Sequence, residues 1–423
     1  MNNEGHRTYD AHDSYGQFAV DWENRIDFDS LRKKRLERAR QKMKEHGLGA
    51  LLLFRQDTIR YVTGTWQHPA GHCDPKIFRY TVLAGDGDPV HFETAGLDRI
   101  CVERAATWLP EVRTAQIWAS AGVATPIITK KFAKEIKEIL TKNGVKKEKV
   151  GIDFVDFPSL DALQEEGIKL GNGLVVVQDA GMIKFPEELE ILKQACAIAD
   201  AAYARAEEVI KPGMRENELK AEIAKTLYDL GSERIEHITL ASGGRTNPFW
   251  RHGPTDRMFR YGDMVLVDIL HQYMGYRTCY YRNFVVGGKA TQKQKDLYKQ
   301  TYESMYKAIN IIKPGVTTAD VAEVWAKEGY SDDTYGAVSL LQFGHGLGVS
   351  NHEPPFITLA YSKDYPVELK PNMYLAVETY AGKPDDGEAA RLEENFVITE
   401  DGVEIFSLYP LAGPLMDEIP AIK

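Results

Sequence analysis

Residues 202–227, AYARAEEVIKPGMRENELKAEIAKTL, and residues 304–329, SMYKAINIIKPGVTTADVAEVWAKEG, share one layout: a helical stretch closed by Lys-Pro-Gly, then a second helical stretch. Proline and glycine end a helix because the first lacks an amide donor and the second accepts left-handed backbone. Self-similarity of this kind points to a duplicated αα unit. Lys-Pro-Gly as a common helix terminator is the plainer reading of a single pair of matches. Each copy is followed by apolar, β-rich sequence: HITLASGG (237–244) and DMVLVDILHQYMGY (263–276) after the first, MYLAVETYA (373–381) and NFVITEDGVEIF (395–406) after the second. The second half is therefore expected to be a pseudo-symmetric α+β domain with a site between its halves.

Outward from this core, MIKFPEELEILKQA (182–195) carries Pro186 at a helix start with Glu187 and Glu188 in the first turn, so a long helix opens the second half. Further upstream, DSLRKKRLERARQKMKEHG (29–47) reads as a charged amphipathic helix, and 50–54 as a strand. YTVLAG (80–85), DPVHFET (88–94), a helix near 130–143, KVGIDF (149–154), a helix around Leu160 and GLVVVQDA (173–180) complete a small α/β unit with a largely apolar sheet. Three segments follow: an N-terminal arm (1–28), an α/β domain (29–180) and a larger α+β domain (181–423).

The chain has 423 residues, 43% hydrophobic and 27% charged, which excludes disorder for most of the length. No window reaches the roughly 18 apolar residues that span a bilayer, and residues 1–13 lack an apolar signal core. The formal net charge of -10 argues against a nucleic-acid partner. Cys73, Cys101, Cys196 and Cys279 show no paired spacing, so a reducing cytoplasm is expected.

Three acidic residues sit where strands should be apolar: Asp268 in MVLVDIL, Glu378 in YLAVETY and Glu393 in ARLEENFVI. Singly, each reads as an outward-facing strand position. Together, buried carboxylates imply a metal or another cation. In FGHGLGVSNHEPP (343–355), His345 lies between glycines and is expected to be open to a ligand. His352 beside Pro354-Pro355 could act as general acid or oxyanion donor, or be a surface-loop histidine. His252 in FWRHGP is a third candidate.

The ordered set resembles the pita-bread metalloenzymes, which include methionine aminopeptidase, prolidase, aminopeptidase P, creatinase and the dimethylsulfoniopropionate lyases. The matches are IKFPEELEILKQA (183–195), ASGGRTNPFWRHGP (241–254), GDMVLVDILHQYMGYRTCYYRNFVVG (262–287), FGHGLGVSNHEPP, LKPNMYLAVETY (369–380) and ARLEENFVITEDG (390–402). The resemblance is strong from Ile183 to the C-terminus and looser over the N-terminal unit, where it implies a creatinase-like domain. It implies Asp268, His345, Glu378 and Glu393 as metal ligands, with His252 and His352 meeting substrate or oxyanion. The family's second Asp, eleven residues after the first, is replaced here by Cys279. A carboxylate bridges two hard ions through separate oxygens, whereas sulfur prefers zinc or ferrous iron over manganese. Either Cys279 is a ligand in a one-metal site, or the metal is lost as in creatinase and Cys279 is a small buried hydrophobe.

Strand alternation through GYRTCYYR (275–282) would put Arg277 and Tyr281 on the face of Cys279, where they could bind a carboxylate-bearing substrate; ordinary strand packing is the alternative. The loop SGGRTNPFW and the tail SLYPLAGPLM look closer to the lyase branch, which nevertheless keeps the Asp. DTIRYVTGTWQHPAGHC (57–73) corresponds to the region that reaches a neighbouring subunit's site in two-domain relatives, so Arg60, Trp66, His68 and His72 are candidate contacts in a homodimer. Two readings stay level: a peptidase-like hydrolase cleaving an amide of a small or dipeptide substrate, and a lyase or amidine hydrolase on a small carboxylate-bearing metabolite. An inactive binding protein is a third.

Overall fold

The computed structural model describes residues 26–66, 79–248, 253–330, 343–383, 387–411 and 413–416. The chain divides into two compact units, Met1–Gly181 and Met182–Lys423. Most of the expected N-terminal arm, residues 1–25, lies outside the described residues. Among the described residues no helix is long and apolar enough to cross a membrane.

The first unit runs α1 (Phe28–Glu45), β1 (Ala50–Leu53), α2 (Gln56–Thr63), β2 (Tyr80–Ala84), β3 (Val90–Glu93), α3 (Leu97–Ala105), β4 (Glu111–Thr114), α4 (Thr125–Lys142), β5 (Lys149–Ile152), α5 (Phe157–Glu165), β6 (Lys169–Asn172) and α6 (Leu174–Met182). Asp27 caps α1 by accepting the Ser30 amide at 2.9 Å. The sheet order is β4-β3-β2-β1-β5-β6, with β1–β2 and β2–β3 antiparallel and the other pairs parallel. Its core gathers Leu52, Phe54, Tyr80, Phe92, Trp118 and Phe132, each ring or branched chain contributing about 1.5–3 kcal/mol by leaving water. GLVVVQDA, grouped with the sheet from its valines, instead forms α6. Asn172 Oδ1 accepts the Leu174 amide at 3.1 Å and starts the helix, and β6 has already taken the strand position beside β5.

The second unit continues with α7 (Pro186–Val209), α8 (Glu216–Asp229), β7 (Arg234–Ser242), β8 (Met264–Tyr273), β9 (Tyr276–Arg277), β10 (Tyr281–Val285), α9 (Gln292–Ile309), α10 (Thr318–Lys327), β11 (Gly344–Gly346), β12 (Glu353–Ile357), β13 (Tyr374–Ala381), β14 (Ala390–Ile398) and β15 (Val403–Ile405). One sheet orders β10-β8-β7 with β9 on β8, the other β12-β11-β13-β14-β15. The duplication is visible atom by atom. Gly213 (φ 86°) and Gly315 (φ 87°) occupy the same left-handed position after α7 and α9. Their amides donate to Phe259 O at 2.9 Å and Leu369 O at 3.1 Å, and the amides of those two residues return to Met214 O and Val316 O, both at 2.8 Å. Glu218 and Asp320 then accept the Arg215 and Thr317 amides at 2.7 and 2.8 Å, opening α8 and α10 alike. The fold is mixed α+β, as expected.

Candidate metal centre

Asp268 stands in the middle of β8, opposite Thr239 on β7 and Tyr281 on β10, and is 4% exposed. The chain breaks strand geometry between β9 and β10, and Cys279 lies in that break. Its amide donates to Asn395 Oδ1 at 3.1 Å, while Asn395 Nδ2 donates to its carbonyl, so β14 holds the thiol in place. Cys279 Sγ is 4.0 Å from Asp268 Oδ1 and 3.8 Å from Glu393 Oε2.

β11 brings His345 opposite Ala376 of β13. Its flanking glycines serve close approach rather than exposure: a Cβ at Gly346 would fall 2.4 Å from Pro354 O, and one at Gly344 3.0 Å from Ala376 O. His345 is fully buried, which corrects the expectation of an open imidazole. Nδ1 lies 2.9 Å from Gly346 O and so carries the proton, leaving Nε2 as a lone pair. That Nε2 is buried, has no hydrogen-bond partner among the described residues, and is 3.7 Å from Glu393 Oε1. Burial lowers the His345 pKa, favouring the neutral, ligand-competent ring.

Glu378 on β13 directly faces Glu393 on β14, a like-charged pair that is unfavourable without a cation. Arg391, two residues before Glu393 on the same strand face, donates to Glu378 Oε2 through Nε at 2.8 Å and through Nη2. Its guanidinium also lies 4.3 Å over the Tyr281 ring, and the Tyr281 hydroxyl is hydrogen-bonded to Asp268. Burial, then the Glu393 charge, pushes Asp268 well above the usual carboxylate range. Burial, then Asp268 and Glu393, pushes the Cys279 thiol up. One donor atom each from Cys279, His345 and Glu393 lies within 4.8 Å of the others. A neutral imidazole lone pair, a sulfur and a carboxylate at that spacing fit a divalent cation.

The other expected residues divide. The His352 ring lies 4.3 Å from the His345 ring, tilted 30° to it, and is exposed, so it borders the centre. Its neighbour Glu353 forms a buried ion pair with Lys184. Tyr281 reaches the site, but Arg277 does not share its face: the break at 278–280 ends strand alternation, and Arg277 pairs with Glu236 at 2.6 and 2.7 Å. Arg60 is buried in α2 of the first unit; Trp66, 45% exposed, lies beside Trp108. His252, His68 and His72 fall outside the described residues. The flanks of the His252 loop are tied to fully buried Glu216, which accepts from Arg245 Nη1 and from the Thr255 amide at 2.9 Å. Sequence reasoning missed Arg391 and Asn395. Their signal was present in ARLEENF, where Arg391, Glu393 and Asn395 alternate along one strand face.

Residues 190–400 match metallopeptidase family M24, and residues 35–178 match the creatinase/prolidase N-terminal domain. An Xaa-Pro dipeptidase of Pyrococcus furiosus is 27% identical over 88% of this chain and 97% of its own length. Dimethylsulfoniopropionate lyase DddP of Roseovarius nubinhibens is 26% identical over 95% of this chain and 91% of its own. The fold is shared with a crystal structure of a recombinant prolidase from Thermococcus sibiricus, at a TM-score of 0.73 and 22% identity, covering 90% of this chain and 97% of that one. With the two matched domains spanning most of its length in family order and a buried Cys/His/Glu group at the expected place, the chain belongs to the pita-bread metallopeptidase/creatinase superfamily and is an enzyme of the peptidase-like or lyase kind.

Proposed function

We propose that this enzyme hydrolyses the amide bond of a small or dipeptide substrate at a divalent-metal site held by Cys279, His345 and Glu393. The observation that carries the reading is the buried His345 Nε2, which lies close to a sulfur and a carboxylate and has no hydrogen-bond partner among the described residues. When bound, a divalent metal would supply Lewis acidity toward the carbonyl and lower the pKa of a water. The sulfur favours zinc or ferrous iron over manganese. Asn351 Nδ2 lies 3.1 Å from His352 Nδ1, which leaves His352 Nε2 to carry the proton. Exposed and in ring contact with His345, His352 is placed to donate that hydrogen to a developing oxyanion or to the leaving amine.

The test is hydrolysis of Xaa-Pro dipeptides by protein loaded in turn with zinc, ferrous iron, manganese and cobalt, beside metal analysis of the purified chain. Turnover with zinc or iron is expected; none with any metal would overturn the reading. A Cys279→Asp variant should move preference toward manganese or cobalt. A lyase acting on a small carboxylate-bearing metabolite is the second reading, supported by the DddP likeness over 95% of the chain. Release of dimethylsulfide from dimethylsulfoniopropionate, without dipeptide cleavage, would select it. Both readings carry the expectation of a homodimer in which Arg60 and Trp66 of one copy meet the substrate in the other, which a monomer in sedimentation velocity would remove.

A further inference from the structure

The acidic and sulfur donors at the centre do not form one set. Cys279, His345 and Glu393 offer mutually close donor atoms. Asp268 and Glu378, expected as further ligands, are each engaged by an organic partner. The Tyr281 hydroxyl is hydrogen-bonded to Asp268, and the Arg391 fork grips Glu378 through Nε at 2.8 Å and Nη2. Because the same guanidinium covers the Tyr281 ring at 4.3 Å, Glu378, Arg391, Tyr281 and Asp268 form one chain of contacts.

We propose that the site takes a single divalent cation on Cys279, His345 and Glu393, and that Arg391 is the fixed counter-cation of the other half, holding Glu378 off the metal. The proposal rests on the metal-site reading above and not on the reaction catalysed. Charge counting supports it: a dication with a thiolate and the Glu393 carboxylate is neutral, so is Arg391 with Glu378, and the one remaining carboxyl, Asp268, falls short of the two charges that a second dication would need. A second dication would have to sit beside a buried guanidinium that cannot deprotonate, an arrangement whose repulsion grows as the local dielectric falls. Arginine suits the post because its planar guanidinium turns two donors at once onto one carboxylate oxygen, Glu378 Oε2, and both partners are almost fully buried, 6% and 8% exposed.

The test reads the metal, not turnover. Purified chain is loaded with cobalt, cleared of excess, and examined for metal per chain and for its visible absorption spectrum. One cobalt per chain is expected, with a sulfur-to-cobalt charge-transfer band that Cys279→Ser abolishes. Glu378→Gln should keep the ligand-field spectrum and lose no more than about tenfold in affinity, the scale of an outer-shell change, whereas Glu393→Gln should alter the spectrum and lose more than about a hundredfold. Arg391→Met should free Glu378 to join the metal and shift the spectrum; where that variant fails to fold, stoichiometry and Glu378→Gln decide. Two metals per chain, or a Glu378→Gln spectrum changed as in Glu393→Gln, or an unshifted spectrum in folded Arg391→Met, overturns the proposal while leaving a metal enzyme. No bound metal at all removes both the proposal and the reading beneath it. Absence of dipeptide hydrolysis with one metal bound removes only the peptidase reading.

Discussion

Each unit buries a polar cluster, and the two clusters behave differently. In the first unit Glu93, 1% exposed, lies 3.4 Å from Arg79 Nε and 3.4 Å from His91 Nε2; Arg79 donates to Thr65 Oγ1 at 2.6 Å, and His91 Nδ1 lies 2.8 Å from Thr81 Oγ1. Burial acts to raise the Glu93 pKa, but His91 and Arg79 outweigh it and hold the carboxyl below its usual value. In the second unit Asp268, Cys279, Glu378 and Glu393 crowd around Arg391, and burial with mutual repulsion drives Asp268 and Cys279 well above theirs. A buried charge persists only when it is paired. The first cluster sets its carboxylate against a guanidinium and an imidazole of its own unit, the pattern of a structural ion pair. The second carries an acid excess and a vacant imidazole lone pair, the pattern of a cation site.

The largest expected effect breaks this contrast if it fails. His345→Ala should cost more than about a hundredfold in metal affinity, and with the metal about a thousandfold or more in kcat/KM. Metal analysis and steady-state kinetics check it, and a variant that keeps its metal refutes the assignment. Next, Glu93→Gln leaves Arg79 buried without its carboxylate and should destabilise the first unit by about 3–5 kcal/mol, with metal per folded chain unchanged. Urea unfolding beside metal analysis separates the two, and loss of metal would show that the first cluster is not merely structural.

Asp153 sharpens the contrast from within the first unit, since its donors are neutral: the Phe54 and Arg55 amides at 2.8 and 3.1 Å and the Thr58 hydroxyl. Burial pushes it from 3.8 up to about 6. A folded-state value above the unfolded one means that its stabilisation is full below pH 3.8 and is lost as pH rises through 6. Relative to Asp153→Asn, the wild type should therefore lose about 2.5 kcal/mol between pH 4 and 7. His91, held down at about 4 by burial, works in the opposite direction in both proteins and cancels in the comparison. Equal pH slopes would show that Asp153 is paired with a charge after all. The smallest effect is Tyr281→Phe, which removes one hydrogen bond to Asp268 and should cost about 1 kcal/mol by thermal unfolding, with metal stoichiometry unchanged.

Local sequence carried much of the fold. Pro-Gly stops, acidic first turns and apolar runs located α7 to α10 and the strands of the second unit, because each depends on backbone chemistry within a few residues. It failed at 173–180, where three consecutive valines form a helix because Asn172 caps it and the sheet position beside β5 is already filled by β6. At the site, three of the five expected ligands, Cys279, His345 and Glu393, offer mutually close donor atoms; buried acids in apolar strands are legible as anomalies. Arg277 was misplaced because strand alternation was carried across residues 278–280, where the ladder is interrupted and hydrogen bonding to Asn395 sets the direction of Cys279 instead.

The amino-acid order by itself determined the duplicated αα plan, the family and the substitution of sulfur at position 279, since these are statements of residue identity and spacing. Only the tertiary structure decided which donor atoms lie within reach of one another. That division depends on Arg391, a strand neighbour of Glu393 that reaches across the ladder to Glu378, and on a His345 ring buried by backbone approach at its two glycines. Both are contacts between segments distant in sequence, where burial and pairing set the energy and spacing along the chain is silent.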